Sequence, residues 1–197
     1  MKRIITILIM LSIFLMCMTA CSGNDATPTI YDQLDSLATK SYRSVDLRVV
    51  TTTGDVQLLA NYSLTQNNIS YSVEKLNTLP SDGNLAGVSP EYKTTYTGSA
   101  KIVDGKVTEF DGDAVTLPSY DELRGTFNFD EVNFTNVVIQ NNSLNADVIS
   151  PSSFLGSSVD AKNMEIEVEY TTEALSKVTI TYQTNKSTVL VEYEFKI

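Results

Sequence analysis

Residues 164–197 read MEIEVEYTTEALSKVTITYQTNKSTVLVEYEFKI, and the architecture follows from their alternation. Met164, Ile166, Val168 and Tyr170 alternate with Glu165, Glu167 and Glu169. Val178, Ile180 and Tyr182 alternate with Thr179, Thr181 and Gln183. Val189, Val191, Tyr193 and Phe195 alternate with Leu190, Glu192, Glu194 and Lys196. Successive side chains of a strand point to opposite faces. The segment is therefore a three-strand antiparallel meander with one apolar and one wet face. Its middle strand turns neutral Thr and Gln outward, so the two glutamate rows stand about 10 Å apart. That is about a Debye length at physiological salt, and their repulsion is mild.

The same period of two extends upstream. Val45, Leu47 and Val49 form one alternating run, and Val56, Leu58, Ala60, Tyr62 and Leu64 form the next after a Gly54-Asp55 turn. Asn67-Asn68 turns the chain into a third strand through Ile69, Tyr71 and Val73. Residues 77–91 hold Pro80, Asp82, Gly83, Gly87 and Pro90 and read as a surface loop. Short strands are expected around 92–98 and 100–103. Asp104-Gly105 then makes a hairpin into Val107–Phe110, and Asp111-Gly112 a second turn into Val115 and Leu117. Ser119–Gly125 has room for one helical turn, and Phe134–Ile139 pairs with Leu144–Ile149 across Asn141-Asn142. Pro151–Gly156 is a short helix or turn that packs Phe154 and Leu155. None of the five prolines falls inside an expected strand.

Ahead of the strands, Thr29 and Asp32 have the spacing of a capping box. Ile30, Leu34, Leu37, Ala38 and Ser41 follow on one helical face, so a helix running to about Tyr42 is expected. The fold class is α+β, mainly β: a curved antiparallel sheet (a half-barrel) of about ten strands, with one long N-terminal helix packed on its apolar face.

The first twenty residues have a different character. Lys2 and Arg3 precede an apolar run from Ile4 to Met16, and Met18-Thr19-Ala20-Cys21 leads into polar Ser22-Gly23-Asn24-Asp25. This is the layout of a secretory leader. Bulky Met18, three residues before the cut, disfavours ordinary signal peptidase. The tetrapeptide resembles the lipobox of bacterial lipoproteins, which implies diacylglycerol on the Cys21 sulfur and cleavage before it. Two acyl chains anchor a protein stably where one does so marginally. The expected organisation is a lipoprotein signal peptide over 1–20, a flexible tether over 21–29 and a folded domain over 30–197. The product is expected at a cell membrane or outer membrane, on its extracytoplasmic face.

Cleavage leaves 177 of the 197 residues, enough for one domain with a sizeable core. It removes Cys17, so Cys21 becomes the sole cysteine and no internal disulfide can form. It also takes the 14 basic residues to 12, against 24 acidic ones, for a net charge of −12. That balance argues against nucleic acid or anionic lipid headgroups as partners.

The order of helix, long meander, Pro151-Ser152-Ser153-Phe154-Leu155-Gly156 segment and three final strands resembles the LolA/LolB-like group of lipoprotein carriers and related cell-surface lipoproteins. The resemblance covers about residues 30–197 and is one of order and periodicity. It implies a half-barrel closed by helices over an apolar cavity. Carriers of that group hold their lid with an arginine. Here Arg43, Arg48 and Arg124 are available, and nothing in the flanking sequence chooses among them.

The chain has no histidine, so the commonest general base and metal ligand is missing. Histidine-dependent triads are excluded, and zinc sites of the usual types lack their histidine and thiolate ligands. Ser72-Val73-Glu74-Lys75 matches the Ser-x-x-Lys spacing of penicillin-binding proteins. That chemistry needs one helical face, whereas residues three apart on a strand point to opposite sides. Asp111, Asp113, Asp121 and Glu122 offer hard oxygen ligands without an EF-hand spacing, and are read as solvated turns. Tyr62, Tyr71, Tyr96, Tyr170, Tyr182 and Tyr193 suit either a cavity rim or ordinary half-buried strand positions, and the plainer placement is preferred.

No catalytic or metal-binding residue and no cofactor is expected, and the chain is read as a non-enzyme. Its expected partners are the membrane, through the lipid on Cys21, and a lipid or other apolar ligand. The alternative is an envelope protein-interaction or structural module without a small-molecule ligand.

Overall fold

The computed structural model describes residues 29–54, 56–77 and 93–197. The expected leader, the lipobox-like tetrapeptide, Cys21 and the expected tether up to residue 28 lie outside them, as do Asp55 and nearly all of the loop expected at 77–91. Helix α1 (Ile30–Ala38) leads into strands β1 (Ser44–Thr53), β2 (Val56–Thr65), β3 (Asn68–Asn77), β4 (Lys93–Val103) and β5 (Lys106–Gly112). Helix α2 (Tyr120–Arg124) and a 3-10 turn (Glu131–Asn133) precede β6 (Phe134–Gln140) and β7 (Ser143–Val148). Helix α3 (Pro151–Leu155) precedes β8 (Lys162–Tyr170), β9 (Leu175–Gln183) and β10 (Thr188–Lys196).

All ten strands join one antiparallel sheet in the order β5-β4-β3-β2-β1-β10-β9-β8-β7-β6. The first meander runs from the centre of the sheet to one edge. Residues 113–133 carry the chain to the opposite edge, and the second meander returns until β10 pairs with β1. The sheet is open, with β5 and β6 as its edges. Ten flat strands would spread over about 43 Å, whereas a nine-residue helix is only about 13 Å long. One continuous core nevertheless contains Ile102 of β4 and Leu144 of β7 together with Leu34 and Leu37 of α1. A sheet bent around its inner layer accounts for that.

The faces divide as the alternation requires. Val45, Leu47, Tyr62, Ile69, Met164, Ile166, Val178 and Phe195 are buried on the inner face. The outer face is a charged ladder in which Arg48 pairs with Glu192 across β1 and β10, and Lys177 of β9 reaches Glu192 at 3.0 Å. Lys177 therefore stands between the glutamates of β8 and β10, where neutral side chains alone were expected. Hydrogen bonding from Lys177 draws the Glu192 carboxyl below the usual carboxylate range, against the opposing effect of partial burial.

Three sequence expectations need correction. Helix α1 is short, ending at Ala38 rather than near Tyr42. Its capping box is present, with Asp32 N–H donating to the Thr29 hydroxyl at 3.2 Å. At the other end the Tyr42 hydroxyl donates to the Leu37 carbonyl at 2.9 Å and accepts from Leu175 N–H at 2.9 Å. Tyr42 thus ties the helix end to β9 instead of extending the helix, and Ser41 lies exposed beyond it. Asp111-Gly112 makes no turn but is the paired end of β5, opposite Ser99 and Gly98, and Val115 and Leu117 form no strand; they sit in the crossover, half-buried against the core. Finally, the two short strands expected over 92–103 are one strand. Gly98 does not interrupt it but pairs with Tyr71 and Gly112 on either side, and an added Cβ there would strike the Tyr71 hydroxyl and the Asp111 carbonyl.

Candidate ligand-binding site

Because the crossover must pass from one sheet edge to the other, it lies over the inner face and forms a second layer. Ser119 and Glu122 cap α2 reciprocally, and Gly125 ends it in the left-handed region at φ 74°. Phe127 and Phe129 follow and enter the core. Phe154 of α3 is fully buried between them and Phe134, with ring centroids at 5.4 Å from Phe127, 5.7 Å from Phe129 and 5.5 Å from Phe134. Phe129 N–H donates to the Asp35 carboxylate at 2.7 Å, which fixes the crossover to α1. Asn133, fully enclosed, donates to the Asn128 carbonyl at 3.1 Å and accepts from Ile149 N–H at 2.8 Å.

This aromatic cluster fills much of the space between the layers. What it leaves is an opening of about 190 Å³ over β1, β10 and β9. Leu47, Val49, Ile180 and Val191 make its floor; Pro118, Phe127 and Leu155 make its cover. Tyr182, Tyr193, Glu122, Thr126 and Ser157 are its polar lining residues. The buried Tyr193 hydroxyl donates to the Glu122 carbonyl at 2.8 Å, and its ring meets Phe127 edge-on at 5.1 Å. Burial, and then the Glu122 charge, push the Tyr193 hydroxyl far above an ordinary tyrosine. Tyr182 is raised by burial as well. Burial keeps both phenols neutral across physiological pH, so Tyr182 and Tyr193 meet a ligand as uncharged hydroxyl groups beside the apolar floor.

The residues singled out in sequence have separate places. Cys21 lies outside the described residues. Asp113 accepts from Thr97 N–H at 2.9 Å beside β5, whereas Asp121 and Glu122 belong to α2. Among the described residues no three potential metal ligands gather. Ser72 and Lys75 lie on β3, three residues apart in an extended strand. Of the arginines, Arg48 faces outward to Glu192, and Arg124 donates to the Thr39 and Lys40 carbonyls just past the end of α1 at 3.4 and 3.5 Å. Of the tyrosines, Tyr62, Tyr71 and Tyr170 are ordinary core residues, Tyr96 is exposed, and Tyr182 and Tyr193 border the opening.

No helix among the described residues is long and apolar enough to cross a membrane. No family model matches the chain, and no curated protein matches it. Among solved structures, a crystallization variant of the GphF dehydratase aligns with 84% of this chain and 81% of its own, at 10% identity and a TM-score of 0.17. A likeness that slight defines neither fold nor function.

Proposed function

We propose that this chain is a non-enzymatic lipoprotein, anchored through Cys21 on the extracytoplasmic side of a membrane, that binds an apolar or amphipathic ligand beneath its crossover. The observation that carries this reading is the apolar-floored opening between Pro118, Leu155 and the inner face of β1 and β10. Pockets for drug-sized ligands run to about 300–1,000 Å³. The space of about 190 Å³ accordingly suits one ring or the end of one acyl chain, with the rest of the ligand outside. Tyr182 at its border gives an amphipathic ligand a hydroxyl to meet.

Titration of the mature chain carrying Cys21→Ser with a fluorescent medium-chain fatty acid tests the proposal. Saturable uptake is expected, weakened at least tenfold by Val49→Trp, which fills the opening. Absence of saturation, or uptake indifferent to Val49→Trp, would dismiss the site. A second reading, an envelope interaction module, is favoured by Val138 and Ile139, which lie 48% and 47% exposed on edge strand β6. Edge strands accept partner strands through their free backbone groups. Lysines at 138 and 139 would abolish recruitment of a partner on that reading and leave fatty-acid uptake intact on the first.

A further inference from the structure

At the other end of the inner layer, the start of β1, the β2–β3 turn and α2 enclose a cleft of about 460 Å³. Its floor is apolar, made by buried Val45 and Leu64. Its walls are formed by Arg43 and Arg124, Tyr42 and Tyr120, Ser41, Ser44, Thr65 and Gln66. No carboxylate lines it, although the sequence holds 24 acidic residues against 14 basic ones. Two cations in one acid-free cleft is an unexpected arrangement for so acidic a chain.

Several charges around the cleft are already partnered. Lys196, register partner of Ser44, is paired with Asp46, and Glu122 is held by the Ser119 cap. Lys40 donates to the Glu173 carbonyl. Among the described residues Arg43 has neither a carboxylate partner nor a side-chain hydrogen bond, and its side chain is exposed. Among the described residues Arg124 makes only two long contacts, to the Thr39 and Lys40 carbonyls just past α1, both through one nitrogen, and its other N–H groups remain for the cleft. The same contacts offset the partial negative charge of the α1 C-terminus, which would otherwise repel an anion.

We propose that this cleft binds a phosphate group. One arginine satisfies a carboxylate through a two-point fork. Two guanidinium groups on separate elements, with hydroxyl and amide donors between them, provide for the three or four oxygens of a phosphate. The cleft volume lies within the usual range for small ligands. The Val45–Leu64 floor and tyrosine walls add room for an apolar substituent beside the phosphate. This site is separate from the opening under Pro118, and either can fail without the other.

The test is isothermal titration calorimetry of the full chain in a neutral detergent at low salt. Three probes are used: inorganic phosphate, dihexanoyl phosphatidylglycerol and neutral dihexanoylglycerol. Saturable binding of at least one phosphate-bearing probe is expected. If inorganic phosphate binds, free phosphate is the source; if only the ester binds, the source is a lipid headgroup. Arg43→Gln should weaken that binding at least fivefold and leave the melting temperature unchanged, because the Arg43 side chain holds no other group. Arg124→Gln should weaken it at least as much, whereas Lys101→Gln, remote on β4, should not. The proposal is overturned if neither phosphate-bearing probe saturates, or if neutral dihexanoylglycerol binds as well as the ester. Equal binding by the Arg43→Gln chain, or an equal loss in the Lys101→Gln chain, overturns it too.

Discussion

Tyr193 shows how much a single side chain connects. It lies on the central strand β10, closes one wall of the opening, and hydrogen-bonds the α2 backbone through its hydroxyl. Its phenol must stay neutral to remain buried. The folded-state value is raised above that of the unfolded chain. Its contribution is therefore complete below the unfolded tyrosine value of about 10 and is lost as pH climbs toward the folded value. Replacement by Phe removes one hydrogen bond and should cost about 1 kcal/mol at pH 7. It should also reduce the alkaline loss of stability between about pH 10 and 12. Urea denaturation of both chains at pH 7 and pH 11 measures this. An unchanged alkaline slope would show that Tyr193 is accessible in the folded protein. Lys177 and Lys196 are raised by their carboxylate partners and act with the same sign, but equally in both chains.

At the scale of elements, α3 is the most dependent on packing. Five residues form no stable helix alone, and its N-cap Ser150 makes no side-chain capping hydrogen bond. Phe154 holds it by filling the space among Phe127, Phe129 and Phe134. Phe154→Ala should cost about 3–5 kcal/mol, read as a lower urea midpoint. A loss under about 1 kcal/mol would mean that the inner layer is loosely packed.

Elements marked by turn chemistry were legible in sequence. Asp104-Gly105 and Asn141-Asn142 both adopt the positive φ values that tight hairpins need. The end of α1 was not legible, because no Gly or Pro marks it and a distant contact of Tyr42 decides it. Val115 and Leu117 mimic a strand because apolar residues two apart also occur where a connection packs on a core. The edge bulges were hidden as well. Glu109 of β5 and Asn136 of β6 take φ values of 48° and 52° where two residues oppose Ala100 and Ala146. On β5 the bulge and the charged Lys106, Glu109 and Asp111 hinder pairing between molecules, whereas β6 carries no charged side chain.

At the scale of the whole molecule, the two meanders share one sheet because β1 and β10 pair at its centre. The crossover between the outer edges is then obliged to cover the inner face. Alternation in sequence gives the strands and their faces, since each face is a local property with period two. The opening is not local. It is the space left among Val49, Pro118 and Val191, which come from distant parts of the chain, and only packing brings them together. The acid-free cleft was out of reach for the same reason. Arg43 and Arg124 were noted, but nothing within the sequence showed that they share one.

Whether such a body works at a membrane surface rests on Cys21, and intact-mass spectrometry of the protein extracted from the producing cell's membranes measures that directly. The expected species begins at Cys21, lacks residues 1–20 and carries a diacylglyceryl group on the sulfur. A species with an unmodified thiol at Cys21, or one that retains the leader, would contradict it.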